Sequence, residues 1–121
     1  MSPPRRPRGA PQRGEIWTVD FAEPVGHEQG HRRPGLVVSS DRLNASRAGI
    51  VVVVPLTRTH RDLPSHVEIA PGDSGLAQTS YAKSEDIKSI STERLVRRLG
   101  RAQSASLDQV GRAFALLLEL A

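Results

Sequence analysis

The stretch IVVVVPLT, residues 50–57, decides the fold of this chain. Its apolar residues follow one another without alternation, which is typical of a central β-strand covered on both faces. Proline has no backbone N–H to donate to a neighbouring strand, so we expect the strand to end or bulge at Pro55 and to present Thr57 at its exit. The sequence therefore predicts a buried strand at the centre of the molecule, with a hydroxyl group where it ends.

Shorter strands are predicted on both sides of this stretch. In GEIWTVDF, residues 14–21, the side chains of Trp17, Val19 and Phe21 recur at every second position and therefore share one face of a strand. Further short strands are predicted in GLVVSS (35–40), HVEIA (66–70), SYAKSED (80–86) and IKSIS (87–91). Together these segments indicate a small antiparallel sheet.

Helical patterns are confined to three places. DRLNASRA, residues 41–48, is predicted to form a short helix or turn capped by Asp41, and STERL, residues 91–95, a helical turn. Ser106 and Gln109 have capping-box spacing. The apolar residues that follow at helical intervals are Leu107, Val110, Phe114, Leu117, Leu118 and Ala121. We therefore predict a mainly β fold of the α+β class, in which a strongly curved sheet is closed by a C-terminal helix.

Length and composition indicate one domain with a short tail. The chain has 121 residues, enough for a single modest core. Residues 1–12 are rich in Pro, Arg and Gly, so we expect a disordered basic tail there and a folded domain at residues 13–121. The tail is interpreted as solvated, with a Pro-rich ligand or an electrostatic arm as the alternatives.

Charge and missing residue types narrow the possible functions. The formal net charge of +4 fits a polyanionic partner, although ordinary small domains also carry such a charge. The absence of cysteine excludes disulfides, thiolate metal sites and thiol nucleophiles. Only 3% of the residues are aromatic, so no stacking platform for bases is predicted. No apolar run reaches transmembrane length and no secretory signal is present, so we expect a cytoplasmic protein without membrane contact.

The segment HEQGH, residues 27–31, matches the zinc-protease pattern H-E-x-x-H. That pattern binds zinc only on a helix, where the spacing brings both imidazoles to one metal. Here Pro24, Gly26, Gly30 and Pro34 precede, interrupt or follow the pattern, and no third ligand lies nearby. We therefore predict that the protein holds no metal and needs no cofactor.

The same loop gathers groups suited to phosphodiester chemistry. Within seven positions it carries His27, Glu28, Gln29, His31, Arg32 and Arg33. Cleavage of RNA requires a base for the 2′-hydroxyl, a cation for the phosphorane charge and a proton for the leaving 5′-oxygen. A carboxylate, an amide and two guanidinium groups are what a metal-free site would use. A hydrated connection between two strands is the alternative interpretation.

Several segments, taken in order, resemble one family. They are RGEIWTVDF (13–21), GHEQGHRRPGLVVSS (26–40), VVVVPLT (51–57), LPSHVEI (63–69) and EDIKSISTERL (85–95). They look like the MazF/PemK toxins of bacterial type II toxin–antitoxin systems. Each segment alone is a weak signal, but the ordered set covers nearly the whole predicted domain. The chain is thus identified from its sequence as a member of this family.

The resemblance implies a CcdB-like fold, a small SH3-like barrel with added helices, that works as a homodimer. It implies a metal-independent, sequence-specific endoribonuclease that cuts single-stranded RNA and leaves a 2′,3′-cyclic phosphate (or 3′-phosphate) and a 5′-hydroxyl. It also implies a cognate MazE-like antitoxin whose acidic, flexible tail occupies the RNA groove. The net positive charge fits both partners.

Catalytic residues are carried over from the family one position at a time. Arg33 matches the Arg before Pro, suited to contact with a phosphate that gains charge, and Thr57 matches the Thr that closes the VPLT-like segment. Glu28 matches the Glu of the family's S-E-Q loop and is the best carboxylate for a base, next to Gln29. His27 stands where that loop usually has Ser. Whether Arg33 itself transfers a proton is left open.

The remaining candidates are predicted to contact RNA: Gln29, His31, Arg32, Arg58, His60 and Arg61. Arg58 and Arg61 are interpreted as clamps on the RNA backbone, with solvent-exposed charge as the alternative. His27 and His31 could each serve as an acid or base near pH 7, with a simple loop histidine as the alternative for each. His60 and His66 have weaker claims to a role.

Two other functions remain as alternatives. The CcdB toxins share the architecture but bind a protein target, gyrase, without catalysis. A non-catalytic SH3-like module would display an aromatic groove, and four aromatic residues, several of them expected in the core, make that groove hard to build. Arg33 and Thr57 together favour the nuclease.

Overall fold

A computed structural model describes residues 9–21 and 32–120 of the chain. In order, those residues form β1 (Glu15–Asp20), β2 (Arg32–Val37), α1 (Asp41–Asn44), β3 (Ile50–Thr57), β4 (His66–Ile69), β5 (Ser80–Lys83), β6 (Lys88–Ser91), β7 (Leu95–Arg101) and α2 (Ser104–Leu117). Single 3₁₀ turns, Ser84–Asp86 and Thr92–Arg94, precede β6 and β7. The predicted class, a mostly antiparallel sheet with a C-terminal helix, is confirmed.

The predicted central strand is β3, which has neighbours along both edges. One edge pairs with β2, and the other pairs with β6 over residues 50–53 and with β5 over residues 56–57. The sheet order is β4-β5-β3-β2-β1-β7, with β6 beside β3. The prediction that the strand ends or bulges at Pro55 is wrong, because the strand continues to Thr57. On one edge the neighbouring strand changes from β6 to β5 at Pro55, so the proline, which has no N–H to donate, lies where that pairing is interrupted.

Alternate residues of the central strands face two hydrophobic clusters. The first cluster joins the sheet to α2 and includes Ile16, Leu36, Val54, Leu56, Leu107 and Val110. The second contains Val19, Val37, Val51, Val53 and Ile90, with Trp17 and Phe21 packed against it. Val53 and Val54 are neighbours in β3, and both are fully buried. The continuous apolar run therefore has the cause predicted for it, which is burial of both faces.

The starts of both helices differ from the prediction. Ser40 rather than Asp41 caps α1, because its Oγ accepts the N–H of Leu43 at 3.2 Å. Asp41 Oδ1 instead accepts the backbone N–H of Arg13 at 2.7 Å and so ties α1 to the start of the fold. Helix α2 begins at Ser104, ahead of the predicted capping box, and no side chain caps it.

The predicted apolar face of α2 is buried only in its first part. Leu107 and Val110 lie in the first cluster, whereas Leu117 and Leu118 are 48% and 51% exposed. Ala121 lies outside the described residues. The helix therefore contacts β4 and the turn before β6 with its N-terminal portion.

Strand β7 was not apparent in the sequence pattern. Its residues LVRRLGR lack the alternation of a half-buried strand. Pairing with β1 holds it in place, and Arg98 Nε of β7 donates to Glu15 Oε2 of β1 at 2.8 Å. The strand is thus specified by a tertiary contact.

The folded part of the chain begins ahead of Arg13. Pro11 is buried, and the backbone N–H of Gln12 donates to Glu15 Oε1 at 2.8 Å. Residues 1–8 of the predicted tail lie outside the described residues.

Candidate functional site

A groove of about 720 Å³ lies where the start of β2 meets the end of β3. The described residues that line it are Arg32, Arg33, Pro34, Leu56, Thr57, Arg58, Thr59, Arg61, Gly75, Leu76, Ala77, Gln78, Ser80, Lys83 and Leu99. Five of these side chains are cationic and none is acidic. The lining therefore suits a ligand that carries several negative charges.

Two of the predicted site residues, Arg32 and Arg33, begin β2. Arg32 is paired with Asp20 and Arg33 with Val19 in the β1–β2 ladder. The interpretation of this pair as loop residues is wrong, since backbone pairing fixes both of them. Their side chains are exposed, and both line the groove. The strand start thus fixes the backbone from which both cationic side chains reach the groove.

Thr57 is the last residue of β3, as predicted, and it lines the same groove. Its Oγ1 accepts the backbone N–H of Thr59 at 3.1 Å. One lone pair of the hydroxyl is thereby occupied, and its O–H is left to donate to a ligand. The side chain is half-buried, so the hydroxyl has a fixed position at the wall of the groove.

The loop after β3 brings the next candidates to the groove. Arg58 and Arg61 are exposed and line it. His60, between them, stacks on Tyr81 of β5 with ring centroids 4.9 Å apart and an interplanar angle of 16°. The structure thus brings five of the predicted site residues, Arg32, Arg33, Thr57, Arg58 and Arg61, to one groove, whereas His60 is not among the lining residues.

Sequence reasoning missed the opposite wall of the groove. Lys83 of β5 lines it and forms an ion pair with Asp86, Nζ to Oδ2, at 2.9 Å. Gln78 and Ser80 also line this wall, and Ser80 Oγ donates to the Gln78 carbonyl oxygen at 3.3 Å. No periodic signal marks this wall, because Ser80 and Lys83, which both line it, point to opposite faces of β5.

Two glycines hold this wall in place. A Cβ added to Gly75 would lie 1.9 Å from the Leu99 carbonyl oxygen, and one added to Gly100 would lie 2.2 Å from that of Asp73. The N–H of Arg101 donates to the same Asp73 oxygen at 2.8 Å. The loop that carries Gly75 through Gln78 is therefore in direct backbone contact with β7.

His66 is not among the residues that line the groove. Its side chain is only 2% exposed, and its Nε2 lies 2.9 Å from Glu85 Oε2. Burial raises the pKa of Glu85, but hydrogen bonds from the Ser65 side chain, its own backbone N–H and His66 outweigh that effect and lower it. His66 is thus a buried partner of the Glu85 carboxylate.

Four predicted residues, His27, Glu28, Gln29 and His31, lie outside the described residues. Within residues 9–21 and 32–120, no group of three His, Asp or Glu side chains is placed to hold a metal ion. In the same part of the chain, none of the helices has the length and hydropathy needed to cross a membrane.

Comparison with known proteins relates the chain to one family. Residues 12–118 match the model of the PemK-like, MazF-like toxin of type II toxin–antitoxin systems. The chain is 40% identical to endoribonuclease MazF9 of Mycobacterium tuberculosis, over 90% of this chain and 97% of that protein. It is 32% identical to endoribonuclease EndoA of Bacillus subtilis, over 90% and 95% of the two chains.

Solved structures give the same relationship. A mycobacterial endoribonuclease in complex with its cognate antitoxin superposes with a TM-score of 0.74 and 29% identity, over 93% of this chain and 98% of that one. MazF of Deinococcus radiodurans superposes with a TM-score of 0.76 and 27% identity, over 91% and 97%. The similarity extends over almost the whole of each chain.

Proposed function

The chain belongs to the PemK-like, MazF-like toxins of type II toxin–antitoxin systems and is an endoribonuclease, and we propose that it cuts single-stranded RNA in the cationic groove. Five cations and one oriented hydroxyl on a single groove carry this proposal. RNA presents one negative charge per nucleotide, so the cations would bind its backbone without regard to sequence. Base contacts would then select the site of cleavage.

The proposed reaction is attack of the 2′-oxygen on the adjacent phosphorus. The O2′–P bond forms and the P–O5′ bond breaks, which leaves a 2′,3′-cyclic phosphate and a 5′-hydroxyl. Arg33 would stabilise the charge that develops on the non-bridging oxygens, because a guanidinium donates two parallel hydrogen bonds to phosphate. The Thr57 hydroxyl, whose oxygen already accepts from Thr59, would donate to one of those oxygens.

Proton transfer is proposed for the loop between β1 and β2. A base must take the 2′-hydroxyl proton and an acid must give one to the leaving 5′-oxygen. Glu28 is the proposed base, and His27 and His31 are the candidates for the acid that protonates the leaving 5′-oxygen, as well as the alternatives for the base. The attachment of this loop to Arg32 and Arg33, which line the groove, supports its assignment to the same site.

An antitoxin is the second partner. The mycobacterial relative, 29% identical, was solved with its cognate antitoxin. For this chain we propose a MazE-like antitoxin whose acidic tail occupies the cationic groove, and a homodimer that carries two such grooves. A cytoplasmic location follows from these proposed partners.

The CcdB-like alternative, a toxin that poisons gyrase without catalysis, is not favoured. The relatives at 40% and 32% identity are both named endoribonucleases. The groove also brings together Arg33, proposed to contact phosphate, and the Thr57 hydroxyl, a combination that a purely protein-binding surface would not require.

The test is cleavage of a mixed RNA pool by the purified protein in excess EDTA. We expect cleavage to persist and the new ends to carry a 5′-hydroxyl. These ends are detected with a ligation reaction that accepts only a 5′-hydroxyl. The matched control is an oligonucleotide that carries the cleavage site found in the pool, with a single 2′-deoxy nucleotide at the scissile position. This substitution removes the nucleophile, so the oligonucleotide should not be cut. Activity that disappears with EDTA and returns with zinc would instead revive the H-E-x-x-H interpretation.

A further inference from the structure

We infer that the stacked pair of His60 and Tyr81 holds one unpaired base of the RNA beside the scissile phosphate, an inference that rests on the proposed function. The two ring centroids are 4.9 Å apart and the ring planes differ by 16°. This distance falls in the range of about 4.5–7 Å for offset stacking of aromatic rings. The pair therefore forms the flat surface that the low aromatic content had argued against.

The pair lies directly beside the proposed catalytic hydroxyl. Tyr81 is the residue opposite Thr57 in the β3–β5 ladder. Side chains of opposite residues share one face of a sheet, with Cβ atoms about 4.5–5.5 Å apart. Thr59 and Arg61, on either side of His60 in the chain, both line the groove. A phosphate at Thr57 would thus place an adjoining base within reach of the stacked rings.

His60 is the ring of the pair that a ligand would meet. His60 is exposed and Tyr81 is half-buried, so Tyr81 forms the support and His60 the outer layer. Among the described residues, no other ring stacks on His60. The hydrogen bond from Thr59 N–H to Thr57 Oγ1 constrains the turn that precedes His60. A base would therefore meet a ring that is already in position, at little entropic cost.

The surrounding charges orient the bound nucleotide. Glu68, which is exposed, lies opposite Tyr81 on the β4 side, whereas Thr57 lies opposite it on the β3 side. Repulsion from the carboxylate disfavours phosphate on the Glu68 side, and Arg58 and Arg61 favour it on the groove side. The base would then cover His60 while its phosphate contacts the groove.

If His60 stacks on a base, the protein should discriminate between bases by their size more than by their identity. Every base presents a π-face to an aromatic ring, and preferences arise mainly from stacking strength. Purines overlap a ring more fully than pyrimidines do, so we expect a purine to be favoured at the stacked position. This position would adjoin the scissile phosphate.

The experiment measures binding of a cleavage-site oligonucleotide with 2′-deoxy at the scissile position, so that it binds without being cut. Fluorescence anisotropy at fixed salt compares the parent with His60→Ala, His60→Phe, Tyr81→Leu and, as a control in the same loop, Leu63→Ala. Each protein is tested on the full oligonucleotide and on a set with one abasic nucleotide at successive positions.

We expect His60→Ala to bind the full oligonucleotide at least about fivefold more weakly, the scale of one lost base–aromatic stack. His60→Phe should bind like the parent, Tyr81→Leu like His60→Ala, and Leu63→Ala like the parent. On the oligonucleotide that is abasic at the stacked position, the parent and His60→Ala should bind equally. Circular dichroism confirms that each variant is folded.

Two results would overturn the inference. One is binding of the full oligonucleotide by folded His60→Ala with the parent's affinity. The other is a loss of affinity in His60→Ala that is the same on every abasic oligonucleotide, because such a loss would not depend on a particular base. If the parent protein cleaves RNA and His60→Ala binds RNA as the parent does, the stacking inference is refuted and the proposed function stands. A parent protein that does not cleave RNA refutes the proposed function itself.

Discussion

Thr57 and Thr59 are joined by a hydrogen bond in which the backbone N–H of Thr59 donates to Thr57 Oγ1 over 3.1 Å. Because this bond occupies the oxygen as an acceptor, the hydroxyl hydrogen is directed elsewhere, and the groove lies beside it. A threonine at a strand end is common. A threonine whose hydroxyl is oriented at the wall of a cationic groove is a candidate for contact with a transition state.

The first prediction concerns this hydroxyl. Thr57→Val keeps the shape of the side chain and removes the donor, so the single-turnover rate of RNA cleavage should fall by about a hundredfold, the scale for one lost transition-state donor. Thr57→Ser keeps the hydroxyl and should retain most of the rate. A folded Thr57→Val that cleaves like the parent would remove Thr57 from the reaction.

The second prediction concerns Arg33. Arg33→Ala should cost about 2.7–4 kcal/mol of transition-state stabilisation. Arg33→Lys should recover only part, because an ammonium cannot reproduce the guanidinium fork. Arg47→Ala is the charge-matched control, since Arg47 is also exposed but does not line the groove. Equal losses in the Arg33 and Arg47 variants would mean that net charge, and not the site, sets the rate.

The third prediction concerns competition in the groove. A synthetic peptide rich in Asp and Glu, as a probe for the antitoxin's acidic tail, should displace uncleavable RNA, and the peptide with Gln and Asn in place of the acids should not. Displacement should weaken as salt rises, because the attraction is between exposed charges. Simultaneous binding of RNA and acidic peptide, detected by two fluorophores, would show that the two ligands do not share the groove.

The local parts of the fold could be predicted from the sequence. The apolar run that forms β3 and the alternation of Trp17 and Val19 in β1 are short-range patterns that depend only on periodicity. Arg33 and Thr57 were selected by their match to the family, whereas their meeting at one groove follows from the pairing of β2 with β3, which the structure shows. The resemblance to the family supplied their roles.

The non-local parts could not be predicted. Tyr81 faces Thr57 only through the β3–β5 register, which joins residues separated by two loops and β4. Strand β7 has no periodic pattern, and the contact of Gly100 with Asp73 is visible only once two backbones are in place. Such contacts depend on tertiary packing, which no window of sequence contains.

The fourth prediction concerns Gly100 and the wall of the groove. Gly100→Ala places a methyl group 2.2 Å from the Asp73 carbonyl oxygen, and backbone cannot move aside as a side chain can. We expect a loss of about 1–3 kcal/mol in the free energy of unfolding. Gly111→Ala in α2 is the control, because its Cβ would meet nothing within 4 Å and alanine is the better helix former. Urea unfolding of both variants should give opposite signs, and equal stabilities would contradict the tight contact.

The carboxylate of Glu15 is buried and hydrogen-bonded. Burial raises its pKa, but the N–H groups of Gln12, Trp17 and Arg98, together with the charge of Arg98, outweigh burial and lower the pKa below its usual value. The Trp17 bond, from Nε1 to Oε1, is 3.0 Å long. These donors connect the start of the fold, β1 and β7 through one side chain.

The fifth prediction follows from that lowered pKa. A depressed folded-state pKa gives stability that is present above the unfolded-state value, about 4.3, and is lost as pH falls through the folded-state value. Glu15→Gln removes the charge, so its free energy of unfolding should be lower than the parent's by about 1–3 kcal/mol at pH 7. That gap should narrow as the pH falls below about 4, because protonated Glu15 in the parent has then lost the same charge.

Arg98→Met, which removes one donor to Glu15, should lose stability on acidification at a higher pH than the parent does. Denaturant unfolding at a series of pH values measures all three proteins, and a gap between the parent and Glu15→Gln that is independent of pH would show that the charge of Glu15 contributes nothing to the fold.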